Sequence, residues 1–99
     1  MLIVPFEVGR LYSIRQDMHV RIDWFMGQTW LFGLKSSSVC DISRDSMFIC
    51  VKKTTPRELG ILNQFYDDDE IVTLLCNGMT YYTATSTRHS SGDAFVLND

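Results

Sequence analysis

The clearest alternation of apolar and polar positions runs from Met18 to Asp23. Met18, Val20 and Ile22 fall on one side and His19, Arg21 and Asp23 on the other, the period of a half-buried strand. A different pattern surrounds Asn77-Gly78. Ile, Val, Thr and Tyr residues flank it on both sides, and Asn-Gly suits a two-residue turn in which both central residues need positive φ. Pairing outward matches Cys76 with Met79, Leu75 with Thr80, Leu74 with Tyr81 and Thr73 with Tyr82. Val72, Leu74, Cys76, Met79 and Tyr81 then share one face; Ile71, Thr73, Leu75, Thr80 and Tyr82 share the other, and both faces are largely apolar. A second reading makes residues 68–76 a short helix, capped by Asp67 with Glu70 completing a capping box and ended by Asn77 and Gly78. The β-branched run Ile71-Val72-Thr73 counts against it, so the hairpin is the preferred reading.

Elsewhere the signals are short. Arg10–Arg15 reads as a strand following Gly9, with a turn at Gln16-Asp17. Met26-Gly27-Gln28-Thr29 fits a type II′ turn with glycine at its first central position, pairing Phe25 with Trp30 and Trp24 with Leu31. Lys35–Ser38 is a polar connection. Val39–Ile42 and Met47–Lys52 suggest a hairpin around residues 43–46; Met47, Ile49 and Val51 would share one of its faces and Phe48, Cys50 and Lys52 the other. Thr55-Pro56-Arg57-Glu58 is a helix start with N-cap, first-turn proline and capping-box glutamate. Leu59, Leu62 and Phe65 or Tyr66 then recur at helical spacing, predicting one helix of about two to three turns near 56–66. Asp93–Leu97 reads as a last strand. Six to eight short strands and one helix in a single domain, 1–99, predict a mainly β (α+β) fold: a small curled antiparallel sheet or SH3-like barrel.

At 45% hydrophobic and 21% charged residues the chain is globular rather than disordered. Residues 1–53 carry seven basic and five acidic side chains, and residues 54–99 two and seven, for a net charge of −3. Duplex DNA binding usually needs a strongly basic face, which this balance does not suggest. The cysteines Cys40, Cys50 and Cys76 are odd in number and lack C-x-x-C spacing, which favours free thiols in a reducing compartment; if Arg44-Asp45-Ser46 is a three-residue loop, Cys40 and Cys50 face each other across a hairpin and a bridge between them is the alternative, which is not favoured. The first residues lack a basic leader and no apolar run is long enough to span a bilayer. A cytoplasmic protein is expected.

Phe6-Glu7-Val8-Gly9-Arg10-Leu11-Tyr12 resembles the opening F-x-V-G-K-x-Y of many small phage and bacterial β-barrel proteins, with Arg10 in place of the lysine. The resemblance covers seven residues. It implies a small barrel, of phage type, which would place the protein in the host cytoplasm; it assigns no ligand and no functional residue.

Candidate chemistry is thin. Asp67, Asp68, Asp69 and Glu70 form an acidic patch, but position six of a calcium loop starting at Asp67 would be Val72 rather than glycine, so no metal is expected. His89-Ser90-Ser91-Gly92-Asp93 has the residue types of a hydrolase triad, but adjacent residues rarely converge on one atom. His19 reads as an ordinary surface residue. No cysteine has a neighbour that would lower its pKa. No cofactor and no catalysis are therefore expected. The aromatic residues Trp24, Phe25, Trp30, Phe32, Tyr81 and Tyr82 lie on opposite faces of their ribbons and cannot all fill one interior. That surplus predicts a partner surface: a non-enzymatic module that binds a protein or its own copy, in the phage setting an inhibitor occluding a host or defence protein. Two alternatives remain. Aromatic platforms beside Arg21, Lys35 and Lys52 would suit single-stranded nucleic acid; the helical reading of 68–76 would give a winged-helix regulator.

Overall fold

A computed structural model describes residues 6–35, 41–61, 65, 69–85 and 94–98. Seven strands, β1 (Leu11–Ile14), β2 (Met18–Phe25), β3 (Gln28–Lys35), β4 (Met47–Thr54), β5 (Glu70–Cys76), β6 (Met79–Thr85) and β7 (Phe95–Leu97), accompany one helical turn, α1 (Pro56–Leu59). The strands form one sheet in the order β2-β3-β6-β5-β4-β1-β7. Every neighbour is antiparallel except β3 and β6, which run parallel and meet at Trp30 and Tyr82. The expectation of a wholly antiparallel sheet is corrected at that one junction.

The curl follows from chain connectivity. β1 and β2 stand five places apart in the sheet, yet only Arg15, Gln16 and Asp17 join them, with the Met18 amide donating to the Arg15 carbonyl at 3.3 Å. A link that short forces the sheet to wrap until its distant strands meet. The result is an open half-barrel. Its concave side holds the larger core: Phe6, Tyr12, Ile14, Met18, Val20, Leu31, Phe48, Cys50, Val72, Leu74, Tyr81 and Phe95 among others.

The Asn77-Gly78 turn forms as read. Both residues have positive φ, 51° and 79°, and β5 and β6 pair as Cys76–Met79, Leu75–Thr80, Leu74–Tyr81 and Thr73–Tyr82. Because residues 70–76 are a strand, the helical alternative and the winged-helix reading built on it are ruled out.

Three expectations need correction. The β2–β3 turn is centred on Met26 and Gly27, φ 54° and 75°, so Phe25 pairs with Gln28, Trp24 with Thr29, Asp23 with Trp30 and Ile22 with Leu31. Each partner moves by two positions, which keeps every side chain on its expected face. The helix is one turn long. Thr55 caps it, its hydroxyl oxygen accepting from the Glu58 amide at 3.2 Å. Gly60 then turns left-handed at φ 73°. The Gly60 amide donates to Arg57 at 3.2 Å and the Ile61 amide to Pro56 at 3.0 Å, the paired bonds that close a helix end. Nor is β4 the partner of residues 41–42: it lies between β1 and β5. Asp41 instead lies beside β2, its amide donating to the Val20 carbonyl at 3.0 Å and its carboxylate accepting from the Ile22 amide at 2.9 Å. Val39 and Cys40 fall outside the described residues, and Cys50 carries a free, buried thiol rather than a bridge to Cys40.

Candidate functional site

The outer, convex side of the sheet divides in two. Over β3, β6 and β5, Ile61 and Phe65, which follow α1, lie against the strands. Trp30, Ile61, Ile71 and Ala84 form a second buried cluster with Phe25, Phe32, Leu59, Phe65 and Tyr82 against it. The Phe65 ring stacks on Trp30 with centroids 5.3 Å apart and an interplanar angle of 17°. Tyr82 and Phe25 close on the same indole at 5.6 and 5.9 Å. Trp30 is 1% exposed, and its indole N–H donates to the Phe25 carbonyl at 2.9 Å.

This changes the expected partner surface. Trp30 and Tyr81 are buried, Tyr81 on the concave side and Trp30 on the convex side, while Phe25, Phe32 and Tyr82 are half-buried in the Trp30 cluster. Duplicate apolar faces exist as read, but the chain covers one of them itself. Trp24 alone of the six stays open, 75% exposed. It lies one residue before the base of the β2–β3 turn, and the neighbouring Met26 is exposed as well.

That turn is unusual in its chemistry. Met26 holds a left-handed φ of 54°, a conformation that costs an ordinary L-residue about 1–2 kcal/mol and that Asn or Gly fills more readily. The buried Trp30 indole fixes the base of the turn through Phe25, so the exposed Trp24 and the strained Met26 stand on an anchored tip.

Over β7, β1, β4 and β5 the outer face carries no such cover among the described residues. Register places Val96 beside Ser13, Ser13 beside Met47, Leu11 beside Ile49, and Ile49 beside Leu75. Met47, Ile49 and Val51 are 39%, 39% and 42% exposed, and Val96 is also open. β4 therefore presents Phe48 and Cys50 to the core and its Met-Ile-Val side to solvent. The pairing shifts between Cys50 and Lys52, making Val51 the extra residue of a bulge.

The remaining candidates are quickly placed. Asp67 and Asp68 lie outside the described residues. Asp69 is 2% exposed, and Glu70 opens β5 with a carboxylate oxygen 3.6 Å from the Lys53 ammonium. The tetrad therefore does not present a single acidic surface: it contains a buried carboxylate and an ion-paired one. His19 is only 6% exposed, a correction of its surface reading, and its Nδ1 has no hydrogen-bond partner among the described residues. His89 to Asp93 fall outside the described residues. Burial pushes the Cys50 thiol above its ordinary value of 9.0, with the Lys53 charge opposing, so the group stays protonated and a poor nucleophile near neutrality. Among the described residues no cluster of three or more His, Cys, Asp or Glu side chains could hold a metal ion, and no helix is long and apolar enough to cross a membrane.

Sequence reasoning missed the aliphatic face of β4. Both sides of Met47–Val51 are apolar, so the pattern gave no sign of which side would be left open. Compared with known proteins, the chain matches no family model, no curated protein and no solved structure.

Proposed function

We propose that the chain is a non-enzymatic protein-binding module whose contact is the tip of the β2–β3 hairpin. The observation that carries this is Trp24, 75% exposed beside a methionine held at positive φ. A large aromatic is enriched where binding energy concentrates. Strain retained at one residue points toward a role for its side chain, since a residue better suited to the turn would stabilise it at no cost to the fold. The resemblance of residues 6–12 to small phage and bacterial β-barrel proteins suggests the form: a viral product that covers the surface of a host or defence protein in the host cytoplasm.

The single-stranded nucleic-acid alternative has less support. Its aromatics stack on one another around Trp30, and Arg21 holds Asp23, with Nη2 to carboxylate 2.7 Å.

Affinity capture from host lysate with the wild-type chain and with Trp24→Ala tests the proposal. A protein retained by the first and lost from the second is expected. Equal recovery by both, or none by either, sinks it. Met26→Asn sharpens the test: relief of the left-handed strain should raise stability by about 1 kcal/mol while weakening capture.

A further inference from the structure

Along the free edge of β2, we infer that the hairpin tip takes an extended segment of its partner as an added strand, bonded to the backbone of Trp24. The inference rests on the tip being the contact and adds how a partner lines up there. β2 is the last strand on its side of the sheet, so half of its backbone groups point away from β3. Two bonds fix which half. The Val20 carbonyl accepts from the Asp41 amide at 3.0 Å, and the Ile22 amide donates to the Asp41 carboxylate at 2.9 Å. In an antiparallel pair the direction alternates residue by residue, and no irregularity interrupts the register from Met18 to Phe25. Trp24 therefore turns its N–H and C=O outward, as Ile22 does its C=O.

Two observations meet at this residue. Among the described residues Asp41 holds the edge at Val20 and Ile22 and reaches no farther, so the guard that sheet edges usually carry stops short of the tip. The Trp24 side chain, beside the unguarded groups, is 75% exposed. Unpaired N–H and C=O groups at strand spacing are complementary to another extended backbone, which is how peptides add to sheet edges. That chemistry names the occupant: an extended segment of another protein, one of whose residues exchanges two bonds with Trp24. A second copy offers the same few groups, because Asp41 already holds its Val20 and Ile22; a free segment is under no such limit. Side-chain direction completes the description. Trp24 and Ile22 share one face of β2, and Ile22 packs against the core, so the added strand needs an apolar residue beside the indole, a favourable cross-strand pair. On the other face it meets Asp23, held by Arg21 at 2.7 Å, which leaves no unbalanced charge to answer.

A library of randomised peptides about ten residues long is the probe. The wild-type chain should enrich peptides with an apolar residue in mid-sequence, and their binding should slow hydrogen exchange at the Trp24 amide by about 10-fold or more. Placing N-methyltryptophan at position 24 by chemical ligation keeps the indole, deletes the outward N–H and should weaken binding by about 10-fold. Circular dichroism checks that this chain folds; if it does not, exchange at the Trp24 amide decides alone. Peptides lost from Trp24→Ala but bound equally by the methylated chain, with exchange at Trp24 unchanged, overturn the inference and leave the tip as the contact. Peptides indifferent to both changes, or a library without enrichment, also overturn it. Exchange at Trp24 that slows as the chain alone is concentrated assigns the edge to a second copy and overturns it too.

Discussion

The two halves of the outer face belong to one sheet and are both largely apolar, yet the described residues seal one and leave the other open. Over β3, β6 and β5 the residues are aromatic, and Ile61 and Phe65 close over Trp30. Over β4, β1 and β7 they are aliphatic, and Met47, Ile49 and Val51 face solvent. The connection that follows β4 explains the difference. From Thr54 the chain must travel to Glu70, where β5 begins, and its described residues cross the outer face on the way. The β1–β2 link is only three residues long and has no length to spare for covering anything. Apolar patterning marks a face as wanting cover; the length and path of a connection decide whether the same chain supplies it.

Removing the keystone of the sealed half gives the largest expected effect. Trp30→Ala deletes a buried ring in contact with Phe25, Phe65 and Tyr82 and should cost about 3–5 kcal/mol in chemical denaturation. It also frees the Phe25 carbonyl from its 2.9 Å bond and should loosen the hairpin tip. A loss under about 1 kcal/mol, the scale of an ordinary surface change, would mean the cover is not seated and the contrast between the halves is false.

The cover depends in turn on how α1 stops, and the next effect is smaller. Gly60→Ala places a side chain at φ 73° and should cost about 1 kcal/mol. Thr55→Ala removes the N-cap and should cost about the same. Both act on the sealed half, so each should quench less of the Trp30 environment than Trp30→Ala removes. Fluorescence of a Trp24→Phe background, which leaves Trp30 as the sole indole, reads this directly; an unchanged spectrum in the destabilised variants would detach α1 from the cover.

These elements also show where the sequence was legible. Asn77-Gly78 dictated its turn chemically, and the β5–β6 register followed pair for pair. The β2–β3 turn did not, because the usual preference places glycine, not methionine, at the first left-handed position; Met26 broke the rule and moved the partners by two. The helix start at Thr55-Pro56 is readable from its cap, whereas Gly60 falls inside the expected helical span 56–66 and ends the helix with its left-handed backbone. For the site, the surplus of apolar faces was readable but its location was not. Trp24 and Trp30 look alike in the sequence; what separates them is that Trp30 meets the segment after α1 and Trp24 stands near a strand end. Phe48 and Cys50 against Met47, Ile49 and Val51 is an alternation of apolar with apolar, and only the wrap of the sheet around the β1–β2 link decides which set turns inward.

The smallest effect tests the open half. A side chain that contributes only exposed surface changes monomer stability by within about 0.5 kcal/mol when made polar. Val51→Thr preserves the β-branched shape that suits a strand and removes apolar character where no described residue covers it. Denaturation should therefore leave Val51→Thr within that margin of wild type. A larger difference would place Val51 within the chain's own packing, and would erase the distinction between the covered aromatic half and the open aliphatic one.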